Sequence, residues 1–149
     1  MTTVHASAVL VGARAILIQG PAGSGKSRLA LALIEAANTG QLVFARLVAD
    51  DRVLLEAVHG RLLVRPPDVL AGLIEVRGLR IRRIPHEPVA VVGWVVDLDA
   101  DDAQRLPPSA LRATLASVTL PRFAIPSCAD PLPVVLAALR TTAAEADLG

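Results

Sequence analysis

Residues 20 to 27 read Gly20-Pro21-Ala22-Gly23-Ser24-Gly25-Lys26-Ser27, which sets two glycines, a lysine and a serine in the order G-x-x-x-x-G-K-S. Glycines let the backbone turn tightly, so that successive N–H groups converge on phosphate oxygens. A helix N-terminus following such a loop adds partial positive charge at the same point. Lys26 is placed to reach β- and γ-phosphates, and the Ser27 hydroxyl is a hard oxygen of the kind Mg²⁺ takes. Every other member of the 15 Lys and Arg residues is arginine, so the one lysine stands where a compact ammonium on a flexible stem is useful.

A phosphate cradle transfers nothing without a carboxylate and an acceptor site. Asp50-Asp51 supplies two acids at the end of the apolar run Arg46-Leu47-Val48-Ala49, and ligands of α/β sheets bind at strand ends. Adjacent residues of a strand point to opposite faces. The two aspartates are therefore expected to take different jobs, one facing metal and acceptor hydroxyl, the other supporting. The alternative is a solvated acidic turn. Glu75, next but one to Arg77 in Leu73-Ile74-Glu75-Val76-Arg77-Gly78, reads equally as a ligand or as half of an exposed ion pair of little energetic weight. His5 begins a strand expected to pair with the one entering the loop. A lone histidine is more often structural, and His59 and His86, at turn-like positions, are assigned nothing.

The elements that must hold these residues follow from periodicity. Val4 to Val11 and Arg14 to Gln19 read as an antiparallel hairpin turning at Gly12-Ala13. Strands entering such loops are usually parallel to their neighbours, which makes the hairpin distinctive. Lys26 to Ala37 is an almost wholly apolar helix with a narrow Arg28/Glu35 stripe, closed by Gly40. Strands are expected at Arg46–Asp51, Arg52–Glu56, Arg61–Arg65, Leu73–Gly78, Leu79–Ile84 with one wet face, and Val89–Leu98 fully buried. Pro66 to Gly72 is a short helical turn, and Asp97 to Asp102 an acidic one. Ser109 to Ala116 reads as a helix capped by Ser109. Leu115–Leu120 and Arg122–Ile125 read as strands broken by Pro121. Asp130-Pro131 opens a last helix with the stripe Leu132, Val135, Leu136, Leu139, and Thr142 to Gly149 are expected to fray. No repeat or linker divides the 149 residues, which read as one domain.

Composition narrows the function classes. The chain is 53% hydrophobic and 19% charged, enough for a substantial aliphatic core. Its few aromatics (Phe44, Trp94, Phe123) and net charge of +1 give no nucleic-acid signature. A single cysteine, Cys128, excludes an internal disulfide and a multi-cysteine zinc site, and fits a reducing cytoplasm. The first basic residue is Arg14, so no signal peptide is expected. No charge-free stretch nears the ~20 residues of a membrane span.

The P-loop followed by Leu47-Val48-Ala49-Asp50-Asp51-Arg52-Val53, and then Leu73-Ile74-Glu75-Val76-Arg77-Gly78-Leu79, resembles the catalytic domain of the HPr kinase/phosphorylase family. The resemblance runs from about Val4 to Leu98 and more weakly to the final helix. It implies an α/β P-loop domain of the phosphoenolpyruvate carboxykinase-like type, a mixed sheet with flanking helices. The implied activity is cytoplasmic, ATP- and Mg²⁺-dependent phosphorylation of a serine on an HPr-type phosphocarrier protein of a bacterial phosphotransferase system. The implied oligomer is the family's homo-hexamer, with no nucleic-acid or membrane partner. Carried over by position, Gly20 to Ser27 bind the phosphates and Lys26 acts in catalysis. Ser27 and Glu75, with Asp50, hold Mg²⁺, Asp51 is the general base, and His5 assists.

Three departures qualify the resemblance. The family usually carries a separate N-terminal domain, so the chain resembles a short form that is the catalytic domain alone. The family strand continues Gly-Leu-Gly-Ile, whereas this one reads Gly78-Leu79-Arg80-Ile81. A long loop bearing a catalytic arginine is replaced by Pro85-His86-Glu87-Pro88, which argues against phosphorylase activity and leaves the kinase half. Two other classes compete: a small-molecule P-loop kinase with Arg80, Arg82 and Arg83 in a lid, and a non-catalytic nucleotide-binding regulator.

Overall fold

The computed structural model describes residues 1–142, so from residue 143 on the expected fraying lies outside the described residues. Its strands are β1 (Thr2–Val4), β2 (Ala6–Val11), β3 (Arg14–Gln19), β4 (Ala45–Ala49), β5 (Val53–Val58), β6 (Arg61–Arg65), β7 (Leu73–Val76), β8 (Arg80–Arg83), β9 (Ala90–Asp97), β10 (Arg112–Leu115) and β11 (Val118–Ala124). The helices are α1 (Lys26–Asn38) and α2 (Pro131–Arg140), with a short 3-10 turn at Asp68–Leu70.

The apolar, β-branched run of β3 occupies the centre of a mixed sheet ordered β1-β5-β6-β9-β3-β2-β4. It pairs antiparallel with β2, as the hairpin reading requires, and parallel with β9. β6 and β11 share the other edge of β9, β6 along Ala90–Val91 and β11 along Val95–Asp97. Successive side chains of β3 go to opposite cores. Ala15 and Leu17 join Ala8, Val48, Leu62 and Val92 inside the curl of the sheet. Ile16 and Ile18 meet Leu29, Ala30 and Leu33 of α1 and Val135 and Leu136 of α2 on the other face. Burying each such aliphatic side chain stabilises the fold by roughly 1.5–3 kcal/mol before entropy is counted. The exposed Arg28 and Glu35 of α1 are the expected polar stripe.

β1 runs into β2 through His5, and β4 into β5 through Asp50, Asp51 and Arg52. The β2–β4 ladder stops at Ala8↔Ala49 and the β1–β5 ladder starts at Val4↔Val53. Pairing is thus interrupted where His5, Ala6 and Ser7 face the two aspartates, at the end of the sheet where β3 gives way to the P-loop.

Several expectations are corrected. Residues 109–116 form no helix: Arg112–Leu115 is β10, antiparallel to β11, and the Thr114 and Thr119 hydroxyls hydrogen-bond across the ladder at 2.9 Å. The alternation that puts Ala113, Leu115, Val118 and Leu120 on one inward face outweighs the N-cap signal of Ser109. The turn between them uses Ala116 and Ser117 at φ 49° and 68° rather than the Asn-Gly pair that marks such turns. Pro121 does not break β11: it pairs with Arg112 in the ladder to β10, and pairing with β9 on the other edge begins only at Arg122, so no N–H of residue 121 is needed on that side. β8 has no dry face; all four of its residues are exposed, and it pairs only with β7, apart from the main sheet. The strand expected to run through Asp51 ends at Ala49.

Candidate active site

The P-loop joins Gln19 of β3 to Lys26 at the start of α1. Gly25 caps the helix at φ 100° and Gly23 sits at φ 80°, conformations that favour glycine, with nothing within 4 Å of where either Cβ would stand. The first turn of α1 carries no acidic residue, so the positive helix end is uncompensated by the protein. Lys26 is only 8% exposed. Its Nζ donates to the carbonyls of Gly20 at 2.9 Å and Pro21 at 3.2 Å, holding the ammonium against the loop. The Ser24 hydroxyl is buried with no hydrogen-bond partner among the described residues, and an anion seated in the loop is the kind of partner it lacks.

Asp50 ties the loop to the sheet. It is 6% exposed and accepts from the Ser27 hydroxyl at 2.8 Å, the Ser7 hydroxyl at 2.7 Å and the Glu75 backbone N–H at 3.1 Å. No Lys, Arg or His forms an ion pair with it among the described residues. A carboxylate so buried, served by hydroxyls and an amide but by no cation, has a local charge that a bound cation would balance. Ser7, fully buried on β2, also accepts the Asp51 backbone N–H at 3.1 Å. One hydroxyl therefore fixes both aspartates.

The alternation expected of the aspartates does not occur. Both lie beyond the strand. Asp51 adopts φ 68°, a left-handed conformation that aspartate tolerates better than most residues. Neither is turned away from the P-loop: Asp50 contacts Ser27, while Asp51 lines a cleft of about 450 Å³ with Gly23, Lys26, Ser27, Glu75 and Arg77. Glu75 is exposed on β7 and faces this cleft, and makes no ion pair with Arg77 among the described residues. His5 is exposed between β1 and β2, at the same end of the sheet but outside the residues lining the cleft. Ser27, Asp50 and Glu75 offer hard oxygens that suit Mg²⁺. Among the described residues no group of three or more His, Cys, Asp and Glu side chains could hold a metal. A small protein donor set fits an ion that keeps waters and phosphate oxygens for its remaining positions.

Sequence reading missed Ser7, although a single hydroxyl in the buried run Ala6-Ser7-Ala8-Val9 needs a partner. It also missed the anchoring of Arg122. That guanidinium binds Asp97 through Nε and Asp102 through both terminal nitrogens, at 2.8 and 2.9 Å. The hydrogen bonds that Arg122 donates to Asp102 and then to Asp97 raise its pKa, and the one to Asp102 holds that carboxyl below the usual 3.8. The connection from β8 to β9 is also pinned: His86 bridges to Leu47, the Glu87 N–H donates to the Leu47 carbonyl at 2.8 Å, and Arg46 pairs with Glu87 at 2.9 Å.

The family model described as the HPr serine kinase C-terminal domain matches residues 1–86. The HPr kinase/phosphorylase of Clostridium tetani is 42% identical over 84 residues, 56% of this chain and 25% of that protein. That of Clostridium beijerinckii is 41% identical over 80 residues, 54% and 24% of the two chains. The chain thus spans about a quarter of the length of the curated relatives it matches. A solved structure, that of the HPr(Ser) kinase/phosphatase from Coxiella burnetii, superposes with a TM-score of 0.76 at 25% identity, covering 94% of this chain and 95% of that one. Among the described residues, no helix is long and apolar enough to cross a membrane.

Proposed function

Because the chain belongs to the HPr serine kinase C-terminal domain family, we propose that it transfers the γ-phosphoryl group of ATP to a serine hydroxyl of an HPr-type phosphocarrier protein. The observation that carries this reading is the linkage of the P-loop serine to buried Asp50, with Asp51 facing the same cleft. Ser27 and Asp50, with Glu75 across the cleft, would hold Mg²⁺, which when bound neutralises charge on the β- and γ-phosphates.

Lys26 exchanges the Gly20 and Pro21 carbonyls for phosphate oxygens. The loop amides and the start of α1 fix the polyphosphate. Asp51 accepts the proton of the acceptor serine as its oxygen bonds to the γ-phosphorus and the bond to the β–γ bridging oxygen breaks, releasing ADP. His5, at the same end of the sheet but outside the cleft lining, would act as an assisting group. The protein's contribution is positioning and preorganised charge.

The reaction runs in the kinase direction, with no efficient phosphorolysis. The pinned link from β8 to β9 has no long arginine-bearing loop, and Arg122 is engaged by two carboxylates. The test is transfer from γ-labelled ATP to purified HPr-type carriers with mapping of the modified residue. A labelled serine is the expected result. ATP binding without transfer to any carrier would instead favour a nucleotide-binding regulator.

A further inference from the structure

The acceptor of the proposed reaction is a protein, so a serine brought to Asp51 brings the surface around it onto the rim of the carboxylate cleft. One wall of that rim is the β7–β8 hairpin. Glu75, Val76 and Arg77 line the cleft at the end of β7, and the chain turns from there through Gly78 and Leu79 into β8. The hairpin is tied at both ends. The Leu79 N–H donates to the Val76 carbonyl at 2.8 Å, and the Ile84 N–H to the Gly72 carbonyl at 2.9 Å. β8 pairs with β7 alone, so its outer edge is free.

Register divides the hairpin into two faces. Ile81 stands opposite Glu75 and Arg83 opposite Leu73, whereas Arg82 stands opposite Ile74 and Arg80 opposite Val76. Directly opposed residues share a face, and successive residues alternate. Ile74 and Val76 pack into the core shared with α1. Ile81 and Arg83 therefore lie on the other face, with Glu75, which looks into the cleft. Ile81 is 58% exposed and Leu79, at the turn, 57%. No acid stands between Val76 and His86, and none of the arginines of this stretch forms an ion pair among the described residues. Arginines on a free edge strand are enough to discourage pairing with another strand, but that need does not account for large apolar side chains left in solvent beside them.

We propose that the face bearing Ile81 and Arg83 is the docking surface for the carrier, an inference that rests on reading the carboxylate cleft as the site of transfer to a protein serine. The partner surface it fits has an apolar side chain and a carboxylate beside the acceptor serine. Ile81 takes the apolar contact and Arg83 the carboxylate. Arg82, on the opposite face, takes no part.

The test compares Ile81→Ser, Arg83→Gln and Arg82→Gln in transfer to a purified HPr-type carrier, with ATP titration, Mg²⁺ dependence, melting temperature and particle size measured on each. All three side chains are exposed, so the fold should survive each change. Ile81→Ser and Arg83→Gln should raise the KM for the carrier about five- to tenfold. Their kcat should stay within about twofold, and their ATP affinity and Mg²⁺ requirement should be unchanged. Arg82→Gln should leave the KM within about twofold. Added salt should lower kcat/KM for the unaltered protein, and less steeply for Arg83→Gln. Equal effects of Arg82→Gln and Arg83→Gln would overturn the inference, because they would reduce the hairpin to undirected positive charge. So would a changed Mg²⁺ requirement in place of a changed KM, which would trace the effect to a displaced Glu75. A smaller particle with an unchanged KM would also overturn it, giving the face to a second copy of the chain. Transfer to no carrier by the unaltered protein would overturn the kinase reading itself, and the inference with it.

Discussion

Two carboxylate clusters stand at the same end of one sheet, on strands separated by β3 and β2. After β4, Asp50 is buried and held by Ser7, Ser27 and the Glu75 amide. At the end of β9, Asp97 shares Arg122 with Asp102. The second cluster closes its charge within the protein: a planar guanidinium matches two carboxylates and joins β9, β11 and the acidic turn. The first has matching hydrogen bonds but, among the described residues, no cation paired with it. That difference separates a tie that holds the fold from a site prepared for something else. Buried acid alone would not have distinguished them; what each acid binds does.

The comparison is broken most severely at Asp51. Asp51→Asn should lower kcat by about 10²–10⁴-fold, the range of a positioned general base, while ATP titration stays near wild type. Asp50→Asn should act chiefly through the metal, raising the Mg²⁺ concentration needed for half-maximal rate more than it alters the KM for the carrier. Steady-state kinetics of the two variants side by side separate the roles. A rate loss confined to Asp50→Asn would move the base by one residue.

Ser7→Ala comes next. It removes one donor to Asp50 and the acceptor of the Asp51 amide without touching substrate. Lost hydrogen bonds at a buried site cost about 1–3 kcal/mol in stability. A misplaced base and metal ligand should also reduce kcat about tenfold. Ser7→Thr, which keeps the hydroxyl, should recover part of the rate. Rescue of stability without rescue of rate would make Ser7 merely structural.

The sequence disclosed most where a local pattern was sufficient. The G-x-x-x-x-G-K-S loop, the β2–β3 hairpin, α1 with Gly40 beyond its end, and α2 capped by Asp130 are each specified by neighbours a few residues apart, and the structure has all of them. The site was legible in its parts list but less so in its wiring. Alternation failed for Asp50 and Asp51 because it assumed a strand running through Asp51, whereas the strand ends at Ala49, before either aspartate. Ser7 joins Asp50 across 43 positions, and Arg122 meets Asp97 and Asp102 across 25 and 20. Such contacts depend on sheet order, which periodicity does not encode. Residues 109–116 were misread because a Ser N-cap is a local signal, whereas the ladder partner that made Arg112–Leu115 a strand lies beyond the turn.

On the other side of the comparison, Arg122→Met should affect folding and leave chemistry alone. It deprives Asp97 and Asp102 of their cation, with Asp97 three-quarters buried and Asp102 largely in solvent. Most of the cost therefore comes from Asp97, about 1–3 kcal/mol, with little from the screened outer carboxylate. A domain of this size then melts about 2–4 °C lower for each kcal/mol lost, measured by thermal denaturation. kcat for carrier phosphorylation, measured below the transition, should stay within about twofold because Arg122 touches nothing in the carboxylate cleft. A hundredfold loss of rate with an unchanged melting temperature would put Arg122 among the catalytic groups and dissolve the contrast.

The smallest effect belongs to Asp102, and pH reveals it. Its hydrogen bonds with Arg122 lower the folded-state pKa below the ordinary 3.8. A carboxyl with a depressed folded pKa stabilises the protein above its unfolded pKa. That contribution is lost as pH falls through the folded value, where the native state must also take up the proton. Asp102→Asn should therefore melt slightly below wild type at neutral pH. The difference should persist down to about pH 4, shrink below that, and vanish in stronger acid. Because the carboxylate is exposed, added salt should shrink the neutral-pH difference as well. The same substitution should leave the pH profile of phosphoryl transfer unchanged, since the acids of that reaction stand two strands beyond β3. Thermal scans of both proteins from pH 2 to 8, at low and high salt, measure this directly. A difference that grows as the pH falls would mean that Asp102 is stabilised as the neutral acid, and that the outer half of the Arg122 clamp is not an ion pair.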